Sequence, residues 1–92
     1  MMTPPLRLTR HALEKFEVLR RHGFEVTPAQ VEATVSDPES VVRDTGDRFI
    51  AQRALSDSHL LRVVFRNEGT VRVVITFYPG RRERYEGQLR PQ

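Results

Sequence analysis

The chain predicts an α+β domain, with an N-terminal helical hairpin packed on one face of a mainly antiparallel sheet of four to five strands. Three observations carry this expectation. Apolar residues recur at helical spacing before Pro38. A capping box opens the second helical stretch at Thr27. After Pro38 the chain alternates β-branched and aromatic residues with short turn segments. Ninety-two residues suffice for one small domain with a single core. We take 1–92 as that domain, with a flexible leader over 1–5 and a flexible tail over 86–92.

The elements follow in order. Leu6, Arg7 and Leu8 suit a short entering strand, and Thr9 then starts a helix expected over 9–22. Leu13, Phe16 and Leu19, with Ala12 beside them, form its apolar stripe, and Gly23 after His22 is a stop signal. Thr27 as N-cap, Pro28 at the first helical position and Gln30 three residues after the cap begin the second helix, with Val26 and Val31 placed for a hydrophobic staple. Its inner side is Val31, Thr34 and Val35. Asp37 before Pro38 ends it, because the residue preceding proline is pushed out of the α region.

Strands are expected at 41–42, 48–55, 59–66 and 71–78, separated by turns at 45–47 and 56–58 and by Asn67, Glu68 and Gly69. A three-residue loop at 67–69 would pair Arg66 with Thr70. Leu61, Val63 and Phe65 would then share a face with Val71, Val73, Ile75 and Phe77, beneath Leu13, Phe16, Leu19, Val31 and Val35. The opposite face would carry Arg62, Val64, Arg66, Arg72, Val74, Thr76 and Tyr78. Helices cover the apolar face, so the second face is expected to be an open basic platform. The competing expectation is a solvated surface on which these arginines pair with Glu68, Asp57 and Asp47.

Composition restricts the function classes. Fifteen Lys+Arg against twelve Asp+Glu give a net charge of +3 and a pI near 10.2, which favours an acidic partner. Lys15 is the only lysine, so arginine, suited to planar bidentate recognition, carries the remaining positive charge. Without cysteine there is no disulfide framework and no thiolate metal site, and the cytoplasm is the expected compartment. No apolar run approaches membrane-spanning length, so no membrane partner is expected. His11, His22 and His59 have no metal-ligand spacing, no glycine-rich loop joins a strand to a helix, and no nucleophile motif surrounds the serines. Neither metal nor cofactor is expected.

The segment VRVVITFYPGRRERYE, 71–86, combines a β run, a break at Pro79-Gly80 and an arginine/tyrosine cluster. Arginine forks pair with phosphate and tyrosine rings stack on bases, so Arg66, Tyr78, Arg81, Arg82 and Arg84 are candidate RNA contacts. In an extended tail Arg82 and Arg84 would point the same way and Arg81 the other.

Three stretches carry a family resemblance: LTRHALEKF entering the first helix, the 20–31 helix-turn-helix segment, and the terminal ITFYPGRRERYE. The chain resembles small bacterial proteins of the RelE-like toxin superfamily, most closely BrnT-type toxins and a related short uncharacterised domain. Family members of known activity are ribosome-dependent or free mRNA endoribonucleases neutralised by a cognate antitoxin. The resemblance therefore implies a RelE-like fold, a toxin-like metal-independent RNA endonuclease, and RNA, the ribosome and an antitoxin as partners. The lysine-rich surface of RelE itself has no counterpart here, so ribosome-stimulated cleavage does not carry over.

Such cleavage needs a base for the 2′-hydroxyl, positive groups for the developing charge and an acid for the leaving oxygen. His11 is the candidate base, because a helix start favours the neutral imidazole. Arg62 and Arg72 are the candidates for phosphate stabilisation and Tyr85 for the acid. His11 packing at its helix start and Tyr85 anchoring the tail are the structural alternatives. The alternative function is a non-catalytic nucleic-acid- or protein-binding module that uses the same basic face.

Overall fold

The computed structural model describes residues 5–89; the rest of the expected leader, 1–4, and of the expected tail, 90–92, lie outside the described residues. The chain runs β1 (Leu6–Leu8), α1 (Arg10–Arg21), α2 (Pro28–Ser36), β2 (Ser40–Arg43), β3 (Arg48–Ala54), β4 (His59–Glu68), β5 (Val71–Arg81) and α3 (Arg82–Leu89). The five strands form one sheet in the order β1-β5-β4-β3-β2. β1 lies parallel to β5, and the remaining pairs are antiparallel, so the sheet is mixed.

Both expected helices form where their caps place them. Thr9 Oγ1 accepts from Ala12 N at 3.2 Å. At the other end Phe24 N donates to Leu19 O and Gly23 N to Arg20 O, with Gly23 at φ 86°, the left-handed geometry that closes a helix. The Thr27/Gln30 capping box is complete in both directions. The helices pack chiefly on the sheet rather than as a mutually packed hairpin: α1 covers β5 and β1, and α2 covers β4 and β3. Between them and the sheet lies the core of Ala12, Leu19, Val26, Val31, Val35, Leu61, Val63, Val74 and Phe77, with the Phe16 ring tilted at 50° against Phe77, centroids 4.6 Å apart. Leu13, expected in this layer, is 59% exposed.

The β4–β5 register differs from the expected one. The loop is the two-residue Gly69-Thr70, with Glu68 opposite Val71 and Gly69 at φ 60°, as a hairpin loop with glycine first requires. A bulge then skips Ile75, so Phe65 pairs with Val74 while Val63 pairs with Phe77. The extra residue inverts the faces of β5 before it. Val74 joins the core in place of Val73, and Arg72 turns to the helix side, where Nη1 donates to Val35 O at 2.9 Å and the guanidinium lies over Phe65. Arg72 therefore does not belong to the open platform.

Two further expectations change near the C-terminus. β5 continues through Pro79 and Gly80. β1 pairs β5 only at residues 72–74, so at Pro79 the outer side of β5 is an edge, where a missing N–H costs no ladder bond. The chain then enters a third helix at Arg82, where an extended tail is expected.

Candidate nucleic-acid interface

On the face away from α1 and α2, directly paired residues form rows across the sheet. Ser40, Gln52, Arg62 and Tyr78 make one polar row over four strands. Val42, Ile50, Val64 and Thr76 make the next. Beyond them Arg48, Arg66, Val73 and Arg7 stand in register. Strand alternation produces this pattern, since each of these residues flanks a neighbour directed into the core.

The first row is closed over. Arg62 is 5% exposed and Gln52 fully buried. Arg62 Nε donates to Tyr78 Oη at 3.1 Å and Nη1 donates to Gln52 Oε1. The guanidinium carbon sits 3.8 Å from the centroid of the Tyr85 ring on α3 and 5.7 Å from that of Tyr78. A buried guanidinium carries a desolvation cost of several kcal/mol (~20 kcal/mol in the idealised limit) that hydrogen bonds and ring stacking must offset. Apolar residues of similar volume would fill this space at comparable or lower cost, so the row is held by its hydrogen bonds and ring contacts rather than by apolar packing alone.

Beside this row opens a cleft of about 630 Å³ lined by His59, Tyr78, Pro79, Gly80, Arg81, Glu83, Arg84 and Tyr85. The change from extended tail to helix decides its makeup. Arg81 and Arg84, three apart, line it together, whereas Arg82 turns away to pair with Glu39 at 3.5 Å and donates its backbone N–H to Ser58 O. His59 is held by Ser58 Oγ at 2.9 Å from Nδ1 and by Phe24, whose ring meets the imidazole edge-on.

The third row carries the exposed charge. Arg66 pairs with Glu68, and Glu68 also receives Arg7 from β1 at 3.1 Å. The hydrogen bond from Arg66 and the charges of Arg7 and Arg66 hold the Glu68 carboxyl below its ordinary value, against a smaller opposing effect of desolvation.

The residues expected from sequence to act together are thus partly assembled. Arg62, Tyr78 and Tyr85 meet, with Arg81 and Arg84 alongside. His11 is exposed in the first turn of α1, in the layer on the other side of the sheet from Arg62 and Tyr85. Arg72 is on that side too. Gln52, Ser40, Arg48 and Arg7 join the face without having been expected there, whereas His59, in the alternation of Leu61 and Val63 and against Phe24, meets the cleft from the helix side. Gln52 had a signal: a turn at 56–58 centres the β3–β4 pairing on Asp57 and sets Gln52 opposite Arg62.

Among the described residues no three His, Asp or Glu side chains gather as a metal site, and no helix is long and apolar enough to cross a membrane. No family model, curated protein or solved structure matches the chain.

Proposed function

We propose that the chain is a toxin-like, metal-independent RNA endonuclease of RelE-like architecture that takes single-stranded RNA into the cleft beside Arg62. The observation that carries this reading is the convergence of Tyr78, Tyr85, Arg81 and Arg84 on one cleft next to a fixed guanidinium. Rings to stack bases and forks to hold phosphates are what sequence-tolerant RNA binding requires. His59 and Glu83 line the same cleft and are the groups there suited to take a proton from a 2′-hydroxyl, with Tyr85 as the donor to the leaving oxygen. On this reading the protein works in the cytoplasm on RNA, free or on the ribosome, and a cognate antitoxin restrains it.

The deciding experiment incubates purified protein with a labelled single-stranded RNA, with and without ribosomes, in chelator. Cleavage that persists in chelator, drops about a hundredfold in His59→Ala and survives in His11→Ala supports the cleft as the reaction site. Loss in His11→Ala alone returns the base to α1. Absence of cleavage by wild type removes the nuclease reading.

A second reading, a non-catalytic RNA- or protein-binding module, is favoured by one observation: His11 stands across the sheet from Arg62 and Tyr85. RNA binding without cleavage or growth arrest would select it.

A further inference from the structure

A second, smaller cavity of about 240 Å³ adjoins the cleft and is lined by Asp57, Ser58, Arg81, Arg82 and Glu83. Arg81 and Glu83 line the larger cleft as well, and His59, which follows Ser58 in the chain, belongs to that cleft. The two cavities therefore share a wall.

The turn between β3 and β4 gives the smaller cavity a fixed shape. Ser56 Oγ accepts from Ser58 N at 3.3 Å and from His59 N at 3.2 Å. Leu55 N and Ser56 N both donate to His59 O, at 2.9 and 3.1 Å. These bonds close the turn on either side of Asp57, which stands exposed at its tip. Arg82 N donates to Ser58 O at 2.8 Å and ties the beginning of α3 to the same turn.

Arg81 lies directly opposite His59 in the β4–β5 ladder, which sets their Cβ atoms about 5 Å apart. A phosphate forked by Arg81 is thus beside the imidazole. From that phosphate one nucleotide can enter the cleft with Tyr78, Tyr85 and Arg84, and its neighbour can enter the smaller cavity.

The smaller cavity has a different chemistry from the cleft. It has no aromatic ring in its lining, but it has the Asp57 carboxylate, which when ionised only accepts hydrogen bonds and does so through two oxygens. Guanine is the one RNA base with two neighbouring donor nitrogens, N1 and N2, on its Watson–Crick edge, and single-stranded RNA leaves that edge open. Arginine in the same lining is the donor type that guanine O6 takes. We infer that the smaller cavity is a guanine-selective nucleotide subsite read by Asp57, on the far side of a phosphate held by Arg81.

This inference rests on the RNA-binding reading, and one titration separates the two. Three fluorescein-labelled 2′-O-methyl hexamers, which cannot be cleaved, are titrated into wild type and Asp57→Asn, with folding checked by circular dichroism. One hexamer is all uridine, and the others carry a single central guanosine or inosine. Wild type should bind the guanosine hexamer about tenfold tighter than the uridine one, the scale of a hydrogen bond to a charged group. Inosine lacks only the N2 amino group and should lose most of that gain. Asp57→Asn should bind all three alike, with the affinity that wild type has for the uridine hexamer. Equal binding of the three by wild type overturns the guanine subsite, while the RNA reading stands. A guanosine preference that persists in Asp57→Asn overturns it too. Absence of wild-type binding to any hexamer removes the RNA reading and this inference with it.

Discussion

Thr9 Oγ1 donates to the carbonyl of Ile75 at 3.0 Å while accepting from Ala12 N at 3.2 Å. One hydroxyl thus caps α1 and satisfies the carbonyl of the bulged residue in β5. The bulge sets which residues of β5 face the helices, so this contact lies at the point where the strand exchanges its two faces. Thr9→Val should cost about 1–2 kcal/mol in urea unfolding, and Thr9→Ser should recover most of it. Equal stability of the valine variant would show that the bulge holds without the cap.

Arg62 is expected to matter to stability as well as to binding. Arg62→Ala leaves the buried Gln52 oxygen without the bond it now accepts and empties the space under Tyr85, a loss of about 1–3 kcal/mol. Arg62→Lys keeps the charge but neither the fork nor the flat stacking face, so it should rescue poorly. Denaturant midpoints for the two variants measure this directly; full rescue by lysine would mean that charge alone suffices.

The three arginines at the C-terminus should separate by role. Arg81→Ala with Arg84→Ala should weaken RNA binding and reduce the slope of log affinity against log salt by about one for each phosphate no longer held, with little change in melting temperature. Arg82→Ala should instead act on the attachment of α3, through removal of the pair with Glu39. If Arg82→Ala alters the salt slope and Arg81/Arg84→Ala does not, the division is the reverse.

Glu68 gives the sheet a pH dependence of known sign. Its carboxyl is held below the ordinary value chiefly by the hydrogen bond from Arg66, so it contributes stability above about pH 4.5 and loses that contribution as pH falls through the depressed value. Because the group is exposed, the effect is small. Wild type should exceed Glu68→Gln slightly at pH 7, and the difference should vanish in acid. A difference that grows in acid would contradict this sign.

Local chemistry was sufficient for the helices and for the partition of the chain. Thr9, Gly23, the Thr27/Gln30 box and Asp37-Pro38 act on residues within one turn of themselves, so their consequences are readable in sequence and appear in the structure. The alternation of β4 is likewise local, and it correctly placed Leu61 and Val63 inward and Arg62 outward.

What the tertiary structure decided is the pairing of distant residues. The segment Asn67-Glu68-Gly69-Thr70 accommodates either loop length, and the two-residue loop occurs together with a bulge at Ile75 whose carbonyl is bonded by Thr9, sixty-six positions away. That choice moved Arg72 from the polar face to the helix side. In the same way, RERYEG has too few residues to form a stable helix alone. It becomes α3 where Arg82 finds Ser58 and Glu39 and Tyr85 finds Arg62. The sequence alone determined which arginine and tyrosine side chains this protein has to offer a ligand. Long-range packing, through one bulge and one short helix, decided that Arg62, Tyr78, Arg81, Arg84 and Tyr85 stand together while Arg72 and His11 do not.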